Sequence, residues 1–483
     1  MKLHDILAGI EILSAAVSMD LEILGLAYDS RAVKPGYMFV AITGYAVDGH
    51  SFIPMAIDKG AAVILCECVP EGDIPYVQVK NTRLALALAS ANFFGRPAEK
   101  MRFIGVTGTN GKTTTTYLLK TVLEKTLGAK VGLVGTIQNM IGDQVIETEH
   151  TTPESYELQK LFSEMAQAGC THVVMEVSSH ALALNRVAGV HFDVAIFTNL
   201  TQDHLDFHKT MEEYREAKAM LFRMCDVGVY NIDDAASEKI MSEATCRAFT
   251  YGQHHTADLM AEHVVLNSDC VEFDAKYGSE IVPVHLGIPG GFTVYNALCV
   301  LGAAMALGIE LPVAAEALGS AHGVKGRVEV VPTPGTEYTV LIDYSHTPDS
   351  LENVLRTARG FCKGRLISVF GCGGDRDNAK RPIMGEIGAR LSDIAVITSD
   401  NPRTEDPFQI IDQILAGIPD PSNCIVEENR RMAIRRAMAM AKKNDVIVLC
   451  GKGHETYQII GTEKTHLDER EEVASALKEQ KGR

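Results

Sequence analysis

The stretch Gly105–Leu119, GVTGTNGKTTTTYLL, decides the fold. An apolar run, MRFIGVTG from Met101, enters it as a strand would, and a helical pattern leaves it at once. Gly108, Gly111, Lys112 and Thr113 are the residue types a phosphate loop needs. Glycines let backbone N–H groups approach phosphate, lysine meets its charge, and a threonine hydroxyl can bind Mg²⁺. The spacing is not the usual one, because the G-x-x-x-x-G-K-[ST] pattern ending at Gly111 wants a glycine where this chain has Val106. A glycine turn capping an ordinary helix is the competing reading. The strand before and the helix after favour a nucleotide.

Working outward, 483 residues are too many for one ordinary domain and suggest about three. With 46% hydrophobic and 22% charged residues, the composition is that of a globular protein with a sizeable core. A net charge of -17 argues against nucleic-acid or anionic-membrane binding. The first residues, MKLHDILAGIEILSAAVSMDLEI, are interrupted by His4, Asp5 and Glu11 and are expected to be a folded N-terminus rather than a leader. No stretch approaches the eighteen or so uncharged apolar residues of a spanning helix, so the expected location is the cytoplasm and no membrane insertion is expected. Eleven cysteines at irregular spacing read as reduced thiols; Cys66 and Cys68 end an apolar run and read as packing residues rather than metal ligands.

Residues 1–98 hold short β-like runs, MFVAI and AAVILCE, joined by turn-rich segments, and are expected to form a small α/β domain. From residue 99 to 325, apolar runs (MRFIGVTG, THVVMEV, FDVAIFTNL) alternate with helical patterns, which means βαβ units and a mainly parallel sheet. Residues 326–483 repeat the alternation with YTVLID, RLISVF, DIAVIT and DVIVLC and are expected to be a Rossmann-like α/β domain. The expected fold class is therefore three-domain α/β with a P-loop-type centre. Each apolar run ends in a polar or glycine-containing loop. Parallel sheets bind ligands at the carboxyl ends of their strands, so loops distant in sequence should converge.

MEVSSH places Glu176 at a strand end and Ser178, Ser179 and His180 after it, and NLTQDHLDFH does the same with Asp203, His204, Asp206 and His208. Either cluster alone reads as a solvated loop; beside a phosphate loop, Glu176 and Thr113 suit Mg²⁺ and His204 could serve a second ion. Lys218, in a helical pattern, reads from its surroundings as a surface lysine.

GTNGKTT, EVSSHAL, NLTQDHLDFH and YREAKAMLF together resemble the Mur ligase family, ATP-dependent enzymes that join an amino acid to a UDP-linked muramyl peptide. The resemblance runs nearly the full length, with the motifs in the family's order. It implies one domain each for the UDP-sugar, ATP and the amino acid, with ATP contacts at Gly108, Thr109, Asn110, Gly111, Lys112, Thr113 and Thr114. It implies metal ligation by Thr113, Glu176, His204 and Lys218, the last carbamylated by CO₂ into an anion, and catalysis by Lys112, Lys218, Glu176 and His204. GGFTVYNAL, GRVE and DYSHTPDSL would add Asn296, Arg327 and Asp343 to the nucleotide. The family's earlier asparagine is Thr293 here, which receives no role, and Ser345 stands where alanine is common. YDSRAVKPGYMFVAITG, HTTPES and SSHALALNR would supply Ser30, Thr151, Thr152, Ser178 and Arg186 to the muramyl peptide, although DSR by itself is an unremarkable turn.

FGCGGDRD, SDNPRTEDP and CGKGHETY each follow an apolar run and should surround one pocket. Pro402 pushes Asn401 out of helical conformation, so the loop presents Arg403 in a defined direction. An arginine fork grips a carboxylate with two hydrogen bonds. Arg376 offers a second cation and Glu455 an anion for an ammonium, so the pocket suits a substrate with carboxylate and amine together at its unreacting end. Meso-diaminopimelate has such an end; lysine would leave Arg403 unpaired. DNPRTEDP also resembles the diaminopimelate-recognition motif of the family, which implies contacts by Arg376, Asp400, Asn401, Pro402, Arg403, Gly451 and Glu455. The competing reading is a loop arginine paired with Glu405 or Asp406.

The expected reaction passes the γ-phosphate of ATP to the D-glutamate side-chain carboxylate of UDP-N-acetylmuramoyl-L-alanyl-D-glutamate, and the diaminopimelate amine then attacks the acyl phosphate, a step of peptidoglycan precursor synthesis. Closure of the domains is expected to bring Arg327 and Asp343 onto the nucleotide. The partners are these small molecules, and a monomer is expected. The rivals are addition of lysine, a folylpolyglutamate synthetase and, in another class, an ATP-hydrolysing switch.

Overall fold

A computed structural model describes residues 1–44, 47–148, 150–321 and 323–481, apart from the side chains of Asp206, Gln480 and Lys481. The chain forms two compact units, residues 1–258 with 299–310, and 259–298 with 311–483.

The first unit begins with a five-stranded sheet of β1 (Ile12–Ala15), β2 (Gly25–Ala27), β3 (Tyr37–Val40), β4 (Val63–Cys66) and β5 (Tyr76–Val79), in the order β1-β5-β4-β3-β2. All neighbours are parallel except β1 against β5. Successive residues face opposite sides of a strand, and here both sides are covered. Met38, Val40, Val63 and Leu65 pack with Leu86 and Ala89 of the helix Thr82–Phe93. Phe39, Ile64 and Cys66 pack with Ile53 and Ala56 of the helix Ile53–Asp58. That explains why the strands read as unbroken apolar runs. The N-terminus is folded: Leu3 and Ile6 are buried and the Met1 amine donates to Ile23 O.

The same unit contains β6 (Arg102–Thr107), β7 (Val131–Val134), β8 (Asn139–Ile141), β9 (Gln144–Ile146), β10 (His172–Glu176), β11 (Phe192–Phe197), β12 (Cys225–Asn231) and β13 (Arg247–Gly252), in the order β13-β12-β11-β6-β10-β7-β8-β9. From β13 to β7 every pairing is parallel; β8 and β9 finish the edge as an antiparallel hairpin. Phe103 makes edge-on contacts with Phe162 and Phe192 at 4.7 and 6.3 Å, in a core that the flanking helices close. β6 lies between β10 and β11, with Glu176 opposite Val106 and Phe197 opposite Thr107. This register brings the ends of three strands, and the loops that follow them, to one edge.

The second unit opens with a meander the sequence reading did not anticipate. β14 (Leu259–Leu266), β15 (Val271–Tyr277) and β16 (Glu280–Leu286) pair antiparallel. Its strands alternate polar and apolar residues, so one face is buried and the other wet, unlike the unbroken apolar runs that signalled the parallel strands. Beyond it lies a six-stranded sheet of β17 (Glu329–Val331), β18 (Thr339–Asp343), β19 (Leu366–Phe370), β20 (Ile394–Ile397), β21 (Cys424–Val426) and β22 (Val446–Cys450), ordered β17-β18-β22-β19-β20-β21. Only β17 runs antiparallel. Helices Pro348–Phe361, Lys380–Leu391 and Pro407–Leu415 cover one face, and Arg430–Met440 with Glu469–Lys481 cover the other. A hairpin of β23 (Tyr457–Ile460) and β24 (Glu463–His466) follows β22. The described residues include no helix long and apolar enough to cross a membrane.

Candidate active site

In the first unit the loop Gly108–Gly111 joins β6 to the helix Lys112–Leu127. Gly108 has φ +147° and Gly111 φ +86°, conformations an L side chain resists. A Cβ on Gly108 would stand 1.9 Å from Thr198 Oγ1. The loop is tied to the end of β11: Thr109 N donates to Asn199 O, Asn110 N to Asn199 Oδ1, and Thr198 Oγ1 to Asn110 O, at 2.7–2.9 Å. No side chain caps the helix start, so its first N–H groups remain to meet an anion. Thr113 and Thr114 stand half-buried on that first turn.

Lys112 Nζ folds back to Gly108 O and Thr109 O, at 3.0 and 2.8 Å. Lys218 Nζ reaches the same Gly108 O at 2.9 Å. Lys218 is 1% exposed, which overturns its reading as a surface lysine. Helical periodicity cannot reveal this, because the residues that bury the amine come from the phosphate loop far back in the chain. Burial first, and then the Lys112 ammonium, push the Lys218 amine well below the ordinary lysine range. A neutral amine is the form that can attack CO₂.

Lys218 Nζ also lies 4.2 Å from the Tyr214 ring centre, and His204 packs edge-on against the same ring at 6.0 Å. His204 has φ +53°, leaving its half-exposed ring beside His180 at 4.9 Å. His208 instead turns inward to Ser179 Oγ at 2.8 Å. The Asp206 side chain lies outside the described residues. One strand over, Glu176 is 1% exposed, and its carboxylate accepts from Thr136 N and Thr136 Oγ1 at 2.9 and 3.0 Å. Thr136 was marked by no sequence signal, and Asn199, though it opens NLTQDHLDFH, received no role. The oxygens of Glu176 and Thr113 are of the donor type that a hard divalent cation takes.

A cavity of about 560 Å³ opens in the same unit, lined by Tyr28, Glu154, Glu157, Lys160 and Arg186 among others. Arg186 lies 3.4 Å from Glu154 and donates to Thr152 O at 3.0 Å. Thr152 Oγ1 donates to Glu176 O at 2.8 Å and accepts from Ser178 N, while Thr151 Oγ1 meets Thr136 Oγ1 at 3.0 Å. Thr151, Thr152, Ser178 and Arg186 thus form one network that runs into Glu176. Ser30 is buried, with its hydroxyl 3.3 Å from Met55 Sδ, and does not line the cavity.

In the second unit the loops after β18, β19, β20 and β22 share one edge of the sheet. Asn401 is their hub. Its Nδ2 donates to Glu455 Oε2 at 3.1 Å, and its Oδ1 accepts from Lys452 Nζ and Ile459 N at 3.0 Å. Lys452 is fully buried, 3.2 Å from Glu455 and 3.9 Å from Asp400. Sequence reasoning missed it, because a lysine between two glycines looks solvated. Gly451, at φ +113°, allows the approach, since a Cβ there would stand 2.7 Å from Asp400 Oδ2. Arg403 has φ +51° and is held by backbone bonds from its N to Ile459 O and from Gly461 N to its O. The hairpin therefore helps Pro402 to aim this residue.

Arg403 donates to Gly374 O at 2.8 Å, and among the described residues it has no carboxylate partner. Glu405 is instead gripped by the buried Arg381, at 2.8 and 2.9 Å, and Asp406 caps the helix Pro407–Leu415. The reading of Arg403 as one half of a loop ion pair is thereby excluded. Arg376 is exposed, its Cγ 3.8 Å from where a Cβ on Gly373 would stand and Arg403 at 3.0 Å. Asp343 is buried at the end of β18, accepting from Val328 N at 2.8 Å and from Ser345 Oγ; burial raises its carboxyl above the usual range. Arg327 lies over the Tyr344 ring at 5.7 Å, and Asn296 is buried on the helix Gly291–Ala306.

A phosphate loop, a buried lysine beside it and an arginine-bearing pocket at strand ends define a nucleotide-dependent enzyme of the α/β class. The models of the Mur ligase family match the chain at residues 22–94 (catalytic domain), 106–304 (middle domain) and 326–453 (glutamate ligase domain). The UDP-N-acetylmuramoyl-L-alanyl-D-glutamate--2,6-diaminopimelate ligase of Clostridium botulinum is 53% identical over 95% of this chain and 96% of its own. Its namesake in Clostridium tetani is 51% identical over 99% and 100%. A solved structure of a ligase of that name superposes with a TM-score of 0.77 at 32% identity, covering 100% of this chain and 99% of its own. The Thermotoga maritima MurF ligase in complex with ADP, at 18% identity and TM-score 0.60, shares the fold. The chain belongs to the Mur ligase family.

Proposed function

We propose that this chain is the ATP-dependent ligase that adds meso-diaminopimelate to the D-glutamate side-chain carboxylate of UDP-N-acetylmuramoyl-L-alanyl-D-glutamate. The observation that carries the choice of amino acid is Arg403: a fork fixed by its backbone, with no acidic partner among the described residues, in loops that also present Glu455. A zwitterionic amino-acid head satisfies both, and a lysine side chain would leave the arginine unpaired.

A carboxylate at neutral pH has no good leaving group, so its oxygen first takes the γ-phosphoryl group of ATP. The amine then attacks the carbonyl carbon, phosphate leaves with the C–O electron pair, and the amine proton passes to solvent or a base. Lys112 and the N–H groups at the start of the helix that follows the loop stabilise charge on the moving phosphoryl group. Bound Mg²⁺ would neutralise phosphate oxygens; Thr113, Glu176, His204 and carbamylated Lys218 are the residues that would hold it. Carbamylation turns a cation that repels Mg²⁺ into an oxygen ligand, and the lowered basicity of Lys218 favours it. We assign Thr109, Asn110, Asn296, Arg327 and Asp343 to the nucleotide, and Thr151, Thr152, Ser178, Arg186 and Ser30 to the muramyl peptide. The three-domain division at residues 98 and 325, a cytoplasmic location and a monomer complete the proposal.

The test is phosphate release from ATP in the presence of the UDP-muramyl dipeptide. Release that requires diaminopimelate is expected. Release that ignores every amino acid would replace a ligase with an ATP-hydrolysing switch.

A further inference from the structure

The outer face of the β14–β16 meander carries a set of side chains that the ligase reaction does not use. Glu272 on β15 stands directly opposite His285 on β16, with Nδ1 and Oε1 3.3 Å apart. Cys270 lies just before β15, at the end of the turn that joins it to β14. One ligand atom from each of Cys270, Glu272 and His285 lies within 4.8 Å of the others. The buried face of the same strands is apolar, with Val271, Phe273, Val284 and Leu286. Glu272 and His285 are therefore fixed by the strand ladder, and Cys270 by the turn that leads into it.

An exposed glutamate–histidine ion pair would account for Glu272 and His285, and such pairs contribute little. It does not account for the thiol. Cys270 closes a tight turn in which Asn267 N donates to Cys270 O at 2.9 Å and Asn267 Nδ2 points at Cys270 Sγ at 3.5 Å. The turn is anchored in turn by Thr339 Oγ1 donating to Ser268 Oγ at 3.0 Å. A hydrogen bond aimed at a sulfur is the arrangement that orients a metal-binding thiolate.

We propose that Cys270, Glu272 and His285 form a binding site for one borderline divalent ion of the Zn²⁺ class, separate from the Mg²⁺ chemistry of the phosphate loop. Sulfur, imidazole and one carboxylate suit Zn²⁺ or Co²⁺ and disfavour Mg²⁺, which wants oxygen alone. Ligand bonds of about 2.0–2.3 Å place neighbouring donors about 3.5 Å apart. Small side-chain rotations from the observed spacing reach that geometry. Three protein ligands leave the fourth position to water.

The experiment uses the full chain, stripped of transition metals and kept in excess Mg²⁺, titrated with Co²⁺. One equivalent producing a thiolate-to-cobalt charge-transfer band, bleached by Zn²⁺, is expected. Cys270→Ser should abolish the band and His285→Gln should weaken binding at least tenfold. Cobalt at the oxygen-rich phosphate-loop site gives no such band, so the two sites are distinguished. In parallel, Zn²⁺ should slow alkylation of Cys270 at least tenfold while leaving the exposed Cys68 unchanged. A band that survives Cys270→Ser, or no band together with Zn²⁺-independent alkylation of Cys270, overturns the site.

Discussion

Replacing Arg403 with alanine should cost diaminopimelate far more than lysine. The fork of Arg403 spends one donor on Gly374 O and keeps the others for substrate. Two charge-assisted hydrogen bonds to a carboxylate are worth about 1.5–3 kcal/mol each. Arg403 is only partly buried, so roughly two-thirds of that sum survives screening by water, about 2–4 kcal/mol. The expected loss in kcat/KM for diaminopimelate is then about 30- to 700-fold, at tenfold per 1.4 kcal/mol. Lysine has no distal carboxylate, so its much lower kcat/KM should change by less than about threefold, which leaves the variant almost without preference. Because Arg403 makes a single side-chain hydrogen bond among the described residues, Tm should move by only a few degrees. The assay is phosphate release with each amino acid across a concentration series, beside a melting curve. Equal losses for both amino acids would refute the assignment of Arg403 to the distal carboxylate, and so would no loss for either.

Enzyme depleted of CO₂ should regain activity with bicarbonate, and it should do so near neutral pH because the Lys218 amine is neutral well below the ordinary lysine range; reactivation that appears only above about pH 10 would show an ordinary lysine. Gly108→Ala should lower ATP turnover at least 100-fold with the circular dichroism spectrum retained, since its Cβ would overlap Thr198 Oγ1 in the loop that holds the phosphates. For stability, Asp233 is the carboxylate to test. Burial acts to raise it, but bonds from Gln253 N, His254 N and His255 outweigh this and hold it below the usual range. A depressed carboxylate stabilises the fold above the unfolded value, near pH 4, and the contribution fades as pH falls toward the folded value. Asp233→Asn should therefore remove about 1–3 kcal/mol at pH 7 and make chemical denaturation less sensitive to acid below pH 4, an effect absent if the two proteins lose stability in parallel.

What the sequence determined by itself is the order of strands and the loops at their ends. The parallel strands are buried on both faces and so announce themselves as apolar runs, and a chain that alternates such runs with helices must bring the loops to one edge. The placement of Gly108, Glu176, Asn401 and Arg403 at strand ends was legible for this reason. The meander of β14 to β16 was not, because an alternating strand with one wet face resembles any mixed segment, and its outer face carries the Cys270 cluster. Only the tertiary structure decided which charges are buried and what they meet. Lys218 and Lys452 sit in polar surroundings along the chain, yet fold beneath Gly108 and Asn401, partners more than 50 residues away. Glu405 follows Arg403 by two positions but belongs to Arg381. Desolvation and pairing act through space, and the neighbours that impose them are chosen by the fold rather than by the local pattern.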